Sequence, residues 1–195
     1  MTARTLVLGS SSMYRWQLLN DLGVPFTTQS PEIDESPRPG ESAGALVRRL
    51  AHEKALAVVE ACPESLIIGA DQVAVVNGAI VGKPHSHERA VAQLEAASGK
   101  EVHFLTGICV LDAISGQHSV DMVEVTVGFK VLSKERIEAY LLKDQPYQCA
   151  GAIRAEGAGC ALFTHIRTQD PSALIGLPLI RLSGMLEEFG FDVLA

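Results

Sequence analysis

The chain predicts an α/β fold with a mixed sheet. Short apolar, partly β-branched segments alternate with stretches that carry an apolar residue every three or four positions. Those stretches open on serines suited to cap helices. The alternation has no regular β-α repeat, and Asn77-Gly78 marks a hairpin within it, which argues against a barrel.

In order, Thr5 to Leu8 predicts a first strand. Gly9-Ser10-Ser11-Ser12 leads into a helix reaching about Leu22, closed by Gly23 and Pro25. Phe26 to Gln29 predicts a second strand, and Ser30 to Gly40 an acidic, proline-rich loop. Ser42 caps a long helix expected to run to about Ala61, with Pro63 beyond it. Leu66 to Val76 is a buried strand, and Ser86 caps a helix with Ala90, Val91, Leu94 and Ala97 on one face. Val102 to Leu111 and Val120 to Val131 predict two longer strands joined through Ser115-Gly116. Ser133 caps a short helix to Leu142, and Ala150 to Gly159 is a glycine-rich loop. Pro178 suits the first turn of a last helix with Leu179, Leu182, Leu186 and Phe189 inward and Gly190 after it.

Composition bounds the function. A chain of 195 residues that is 47% hydrophobic can bury a real core and is not disordered. The net charge of −7, with no basic cluster longer than Arg48-Arg49, argues against a broad nucleic-acid surface. The apolar runs are too short to span a bilayer, and no signal-peptide pattern is present, so no membrane partner is expected. Cys62, Cys109, Cys149 and Cys160 show no C-x-x-C spacing, which fits reduced thiols in a cytoplasmic protein.

The strongest chemical signal is Asp71, a carboxylate inside an apolar strand, where it is costly without a partner. A two-residue turn at Asn77-Gly78 sets Val76 opposite Ala79. Continued, that register sets Lys83 opposite Gln72, one residue from Asp71. Two readings follow: a structural Asp–Lys pair, or a catalytic acid or base beside a cation. Lys54 falls within the apolar stripe of Leu46, Leu50, Ala57, Val58 and Ala61, so it either snorkels to an edge or reaches a buried anion. Ser10 to Ser12 with Arg15 makes either an ordinary helix cap or an anion cradle of free N–H groups, hydroxyls and a guanidinium. It is not a P-loop. Glu32, Asp34 and Glu35 are either a solvated acidic run or oxygen ligands for Mg²⁺ or Mn²⁺. Glu156, among small residues, either points into a pocket or sits on a mobile loop. His85 and His87 lack a third ligand at recognisable spacing and are expected on the surface. Cys109 and Cys160 are expected in the core.

With these residues in hand, the chain resembles the Maf family of nucleoside triphosphate pyrophosphatases over essentially its full length. The matching pieces are Ser10-x-Ser12-x-x-Arg15, the Asp34-Glu35 pair, Glu53-Lys54-Ala55, Gly69-Ala70-Asp71-Gln72-Val73, Gly82-Lys83-Pro84 and Thr106-Gly107. Cys149-Ala150-Gly151, Glu156-Gly157, Asp170-Pro171 and Ile175-Gly176-Leu177-Pro178 complete the set. Gln72 and the Cys149–Glu156 segment resemble the 7-methyl-GTP branch rather than the dTTP/UTP branch. Met13 stands where the family often has Pro, and Trp16 stands where a second basic residue is usual.

The resemblance implies one Maf-type domain over 1–195: a Maf/ITPase-like α/β fold with a curved mixed sheet, flanking helices and two lobes around a cleft. It implies hydrolysis of a nucleoside triphosphate to a monophosphate and pyrophosphate with a divalent cation (Mg²⁺, Mn²⁺ or Co²⁺), in a cytoplasmic homodimer. By that resemblance Asp71 is the proton acceptor, assisted by Lys54 and Lys83. Ser10, Ser12 and Arg15 bind substrate; Tyr14, Gln72 and Glu156 select the base; Glu35 and Asp71 hold the metal. The alternatives are a dTTP/UTP pyrophosphatase of the same family, or a non-catalytic nucleotide-binding regulator linked to septum formation.

Overall fold

The structure is a computed structural model that describes residues 4–195; Met1 to Ala3, part of the expected domain, lie outside the described residues. The order is β1 (Thr5–Gly9), α1 (Met13–Asp21), β2 (Phe26–Thr28), α2 (Ala43–Leu56), β3 (Ser65–Val76) and β4 (Ala79–Val81). Then come α3 (His87–Ala97), β5 (Glu101–Asp112), β6 (His118–Phe129), α4 (Lys134–Asp144), β7 (Phe163–Arg167) and α5 (Leu179–Glu188). Short 3₁₀ turns at Ala150–Ala152, Ala158–Leu162 and Pro171–Leu174 fill the last third.

The strands form one seven-stranded mixed sheet in the order β2-β1-β3-β5-β6-β7, with β4 beside β3. β2 and β3 run parallel to β1, and the remaining pairs are antiparallel. Side chains alternate across the sheet. Leu66, Ile68 and Ala70 meet α1 and α5 on one face, where Leu19, Leu182, Met185 and Leu186 are fully buried. Ile67 and Cys109 meet α2 on the other face. A further apolar cluster joins Ala74 and Phe104 to α3 and α4.

Gly69 and Gly107 explain how closely α2 approaches the sheet. A β-carbon on Gly69 would collide with the Ala51 carbonyl oxygen, and one on Gly107 with the Val47 carbonyl oxygen. Both glycines sit on neighbouring strands in register with Cys109 and Asp71 respectively. Without side chains they let the helix lie against the backbone, which brings its last turn down onto Asp71.

The cleft follows from strand lengths. β1 ends at Gly9, opposite Gly69, and β4 reaches only as far as Val81, opposite Ala74. The intervening edge of β3, Ala70 to Val73, has no strand beside it among the described residues. The apolar cluster of β1, α1 and α5 lies on one side of this gap, and that of α3 and α4 on the other.

Several boundaries differ from expectation. Ser42, Ser86 and Ser133 do cap their helices, as does Ser12. α2 stops at Leu56 rather than near Ala61, because the chain tightens into Val58 N–H to Ala55 O and Val59 N–H to Leu56 O bonds. Ala57 and Ala61 are therefore exposed, and Val47, Ala51 and Ala55 complete the buried face. Pro178 is the N-cap of α5 rather than in its first turn, and Phe189 caps its other end, half-buried. Strand β7 was not expected. Cys160 is exposed, its thiol donating to the Gly157 carbonyl, whereas Cys109 is fully buried as expected.

Candidate active site

Lys54 is the centre of the site's charge. It is 5% exposed, and its ammonium donates to Asp71 Oδ1 at 2.7 Å and contacts Glu35 Oε1 at 2.8 Å. The position within the apolar stripe therefore serves a buried anion rather than snorkelling. Asp71 is 6% exposed, and its Oδ2 accepts no hydrogen bond among the described residues. Burial pushes the Glu35 carboxyl up, but the Lys54 hydrogen bond and the charges of Lys54, Lys83 and Arg15 outweigh it and hold the group below its usual range. Of the acidic loop, only Glu35 turns to this site. Asp34 is exposed and accepts from the Ser36 N–H, and Glu32 is exposed.

The serine turn after β1 faces the same gap. Ser10 is buried, and its hydroxyl accepts from the Ser12 N–H and from Arg15 Nη1. Ser12 caps α1 by accepting from the Arg15 N–H. The cap reading is thus correct for Ser12, while its turn also lines the cleft. Arg15 Nε donates to the Gly176 carbonyl at 2.8 Å, which fixes the guanidinium across from Asp71 and Glu35. Burial pulls its pKa down, and the charges of those two carboxylates oppose that.

Lys83 is brought to the cleft by a different path from the expected one. The β3–β4 ladder ends at Ala74–Val81, and Gln72 stands opposite Thr106 of β5 rather than Lys83. The carbonyl of Gly82 is taken by the Gly151 N–H, and Pro84 has no N–H to give, so the chain leaves the sheet. Lys83 still lines the cleft, exposed, and its charge acts on Glu35 and Cys149.

The far end of the cleft gathers Tyr14, Cys149 and Glu156. Burial, then a hydrogen bond with Cys149, pushes the Tyr14 phenol up to about 12. Burial likewise raises the Cys149 thiol. Glu156 lies 3.4 Å from Arg154 Nε. Trp16, the alternative aromatic, packs against Phe26 instead, with ring centroids 6.1 Å apart. Gln72 does not reach Glu156; its amide donates to Thr106 Oγ1 and to the carbonyls of Ala173 and Leu174. His85 adopts a left-handed backbone and lines the cleft, while His87 bonds Tyr147 and Glu138.

Sequence reasoning named three participants only within motifs and gave them no role of their own. Thr106 is fully buried against Ala173, Cys149 stands in the cleft wall, and Gly176 anchors Arg15 by its carbonyl. The Thr106-Gly107 and Ile175-Gly176 pairs were the available signals.

The cleft encloses about 730 Å³, within the range of small-molecule sites. One end carries Arg15, Lys54, Lys83 and the Ser10–Ser12 turn around Asp71 and Glu35; the other carries an aromatic ring and a carboxylate. No cluster of three or more His, Cys, Asp or Glu side chains suited to a metal occurs among the described residues. Asp71 and Glu35 are hard oxygen donors of the kind that suits a magnesium-class ion, which uses one or two carboxylates with substrate phosphates and water. One oxygen of each is taken by the Lys54 ammonium, and Asp71 Oδ2, with no hydrogen bond among the described residues, is a donor left for such an ion.

These features define an α/β protein with a charged cleft placed where one strand edge is left open. Residues 5–189 match the family described as Maf-like protein, and the chain belongs to that family. It is 55% identical to the "7-methyl-GTP pyrophosphatase" of Pseudomonas fluorescens (strain Pf-5) over 96% of this chain and 97% of that one. It is 54% identical to the protein of that name from Pseudomonas savastanoi pv. phaseolicola (97% and 98% covered), and 50% to that from Nitrosococcus oceani (97% and 96%).

Proposed function

We propose that this chain hydrolyses the α–β phosphoanhydride of 7-methyl-GTP, releasing 7-methyl-GMP and pyrophosphate. The observation that carries the reading is the polarity of one cleft: three cations and a carboxylate pair at one end, a tyrosine and a glutamate at the other. The names of relatives about half identical over nearly the whole chain support the same activity.

A triphosphate brings several negative charges, and Arg15, Lys54, Lys83 and the Ser10–Ser12 N–H groups supply the opposing charge and donors. Water attacks the α-phosphorus, an oxygen–phosphorus bond forms, and the bond to the bridging oxygen breaks, so pyrophosphate leaves. Asp71, whose Oδ2 has no protein partner among the described residues, accepts the water proton or orients the water. A Mg²⁺, Mn²⁺ or Co²⁺ ion held by Asp71 and Glu35 supplies further neutralisation of the phosphates when bound. At the other end, the 7-methylguanine ring carries delocalised positive charge. Tyr14 offers it an aromatic face, and Glu156 offers a carboxylate for the adjacent N1–H and N2–H₂ donors.

The reading includes a homodimer in the cytoplasm. Exposed Ile166 on the edge strand β7 supports a protein-facing strand edge, and four free cysteines support a reducing compartment. No helix among the described residues is long and apolar enough to cross a membrane.

The test is product identification in H₂¹⁸O with each metal. The expected result is pyrophosphate with the label in 7-methyl-GMP. Release of orthophosphate, or label in the pyrophosphate, contradicts the assigned bond. Binding without turnover points to the regulator.

A further inference from the structure

We infer that Thr106 is a positioning residue for base selection: it locks the Gln72 amide so that only a hydrogen-bond acceptor faces the base. The inference rests on the nucleotide reading above, and it concerns which edge of the base the cleft recognises.

Gln72 and Thr106 stand directly opposite each other on β3 and β5, with their side chains on the same face. The Gln72 nitrogen donates to Thr106 Oγ1 at 3.0 Å, to the Ala173 carbonyl at 2.8 Å and to the Leu174 carbonyl at 3.1 Å. Carbonyl oxygens only accept, so this network fixes which end of the amide is nitrogen. A flipped amide would set its own oxygen against two carbonyl oxygens. The carbonyls set the direction of the network, and Thr106 holds the amide in it. The Thr106 proton goes to the Ala173 carbonyl at 2.8 Å, so its oxygen is left to accept from Gln72. Thr106 is wholly buried and is not itself part of the cleft wall.

Both amide protons of Gln72 are therefore spent inside the protein. Its Oε1 accepts no hydrogen bond among the described residues, and the residue lines the cleft. Glu156, also in the wall, is another group that accepts when ionised. The base end thus presents acceptors, which match an edge that carries N–H groups, as guanine's N1–H and N2–H₂ do. A base lacking the exocyclic amine leaves an acceptor unpaired and binds less well.

The experiment compares 7-methyl-GTP with 7-methyl-ITP, which lacks only the 2-amino group, on wild type, Thr106→Val, Thr106→Ala and Thr106→Ser. kcat/KM is measured for each, and nucleotide-induced shifts in Tm read binding without turnover. Wild type and Thr106→Ser should favour 7-methyl-GTP roughly ten-fold or more, mainly through KM. Thr106→Val, or Thr106→Ala if the former does not fold, should lower that ratio by about three-fold or more without abolishing it, since Glu156 still accepts from the 2-amino group. Equal losses on both nucleotides with the ratio unchanged would mean that Thr106 is merely structural and overturn the inference. So would a wild type that binds the two equally well. Discrimination in Tm shifts without pyrophosphate release would sustain this inference while overturning the proposed activity.

Discussion

Replacing Lys54 by Met isolates the interaction that holds the site together. Met keeps the length and apolar stem but removes the ammonium from between Asp71 and Glu35. The side chains of Lys54 and Asp71 are 7% and 9% exposed and 2.7 Å apart, so Lys54→Met strands an almost buried carboxylate. Removing one partner of a buried pair costs about 3–5 kcal/mol. The lower end applies here because Asp71 borders an open cleft, and the 53% exposed Glu35 adds under about 1 kcal/mol. A loss of about 3 kcal/mol in a chain of this size lowers Tm by roughly 6–12 °C. Urea and thermal melts of Lys54→Met, Asp71→Asn and the double variant measure it. The double variant should recover at least about 2 kcal/mol, since a neutral amide no longer needs the charge. Pyrophosphate release should fall roughly ten-fold or more in kcat/KM for Lys54→Met, as expected for a lost charge-assisted contact. A Lys54→Met protein as stable as wild type, or a double variant no better than the single, refutes the reasoning.

Other expectations follow from the same geometry. Asp71→Asn should lose at least about two orders of magnitude in kcat while remaining folded by circular dichroism, and near-normal turnover would remove Asp71 from the chemistry. Gly69→Ala places a methyl group against the Ala51 carbonyl oxygen; urea melts should show a loss of about 2–3 kcal/mol, and an unchanged midpoint would mean that α2 has room to spare. Arg49 ties Glu41 to α2 and, with the Arg38 N–H, holds the Glu41 carboxyl down at about 2 from its ordinary 4.5. A depressed carboxyl stabilises the fold fully above its unfolded pKa and loses that contribution as pH falls through the folded one. The stability gap between wild type and Glu41→Gln in urea titrations should therefore be widest above pH 4.5 and close as pH approaches about 2. A gap that grows on acidification would contradict the assignment.

Much of this was readable before any coordinates, for local reasons. A serine at each helix start, Asn-Gly at the hairpin and a lysine inside an apolar stripe are signals carried within a few residues of their effect. Asp71 stood out because a carboxylate in a buried strand requires a partner, although the partner at hydrogen-bond distance is Lys54 rather than Lys83. The hairpin register failed beyond Val81 because Gly151, far along the chain, claims the Gly82 carbonyl. The α5 start was similarly hidden. Asp170 accepts the Ile180 and Arg181 N–H groups, and Ser172 accepts that of Leu179, so the cap sits outside the helix's own sequence window. Thr106 is silent in a strand pattern, since its meaning depends on a carbonyl 67 residues away. The glycines at 69 and 107 could be matched to a family, but the carbonyls of α2 are what give them a physical role.

The central claim is that the cleft selects a positively charged methylated guanine and cleaves between its α- and β-phosphates. A single competition reaction tests it most directly: equal amounts of 7-methyl-GTP, GTP, dTTP and UTP with wild type and with Glu156→Ala, each monophosphate quantified over time. The account predicts that 7-methyl-GMP appears first and dominates with wild type, and that Glu156→Ala loses most of that preference while still releasing pyrophosphate. Faster formation of dTMP or UMP by wild type, or an unaltered preference in Glu156→Ala, would contradict it.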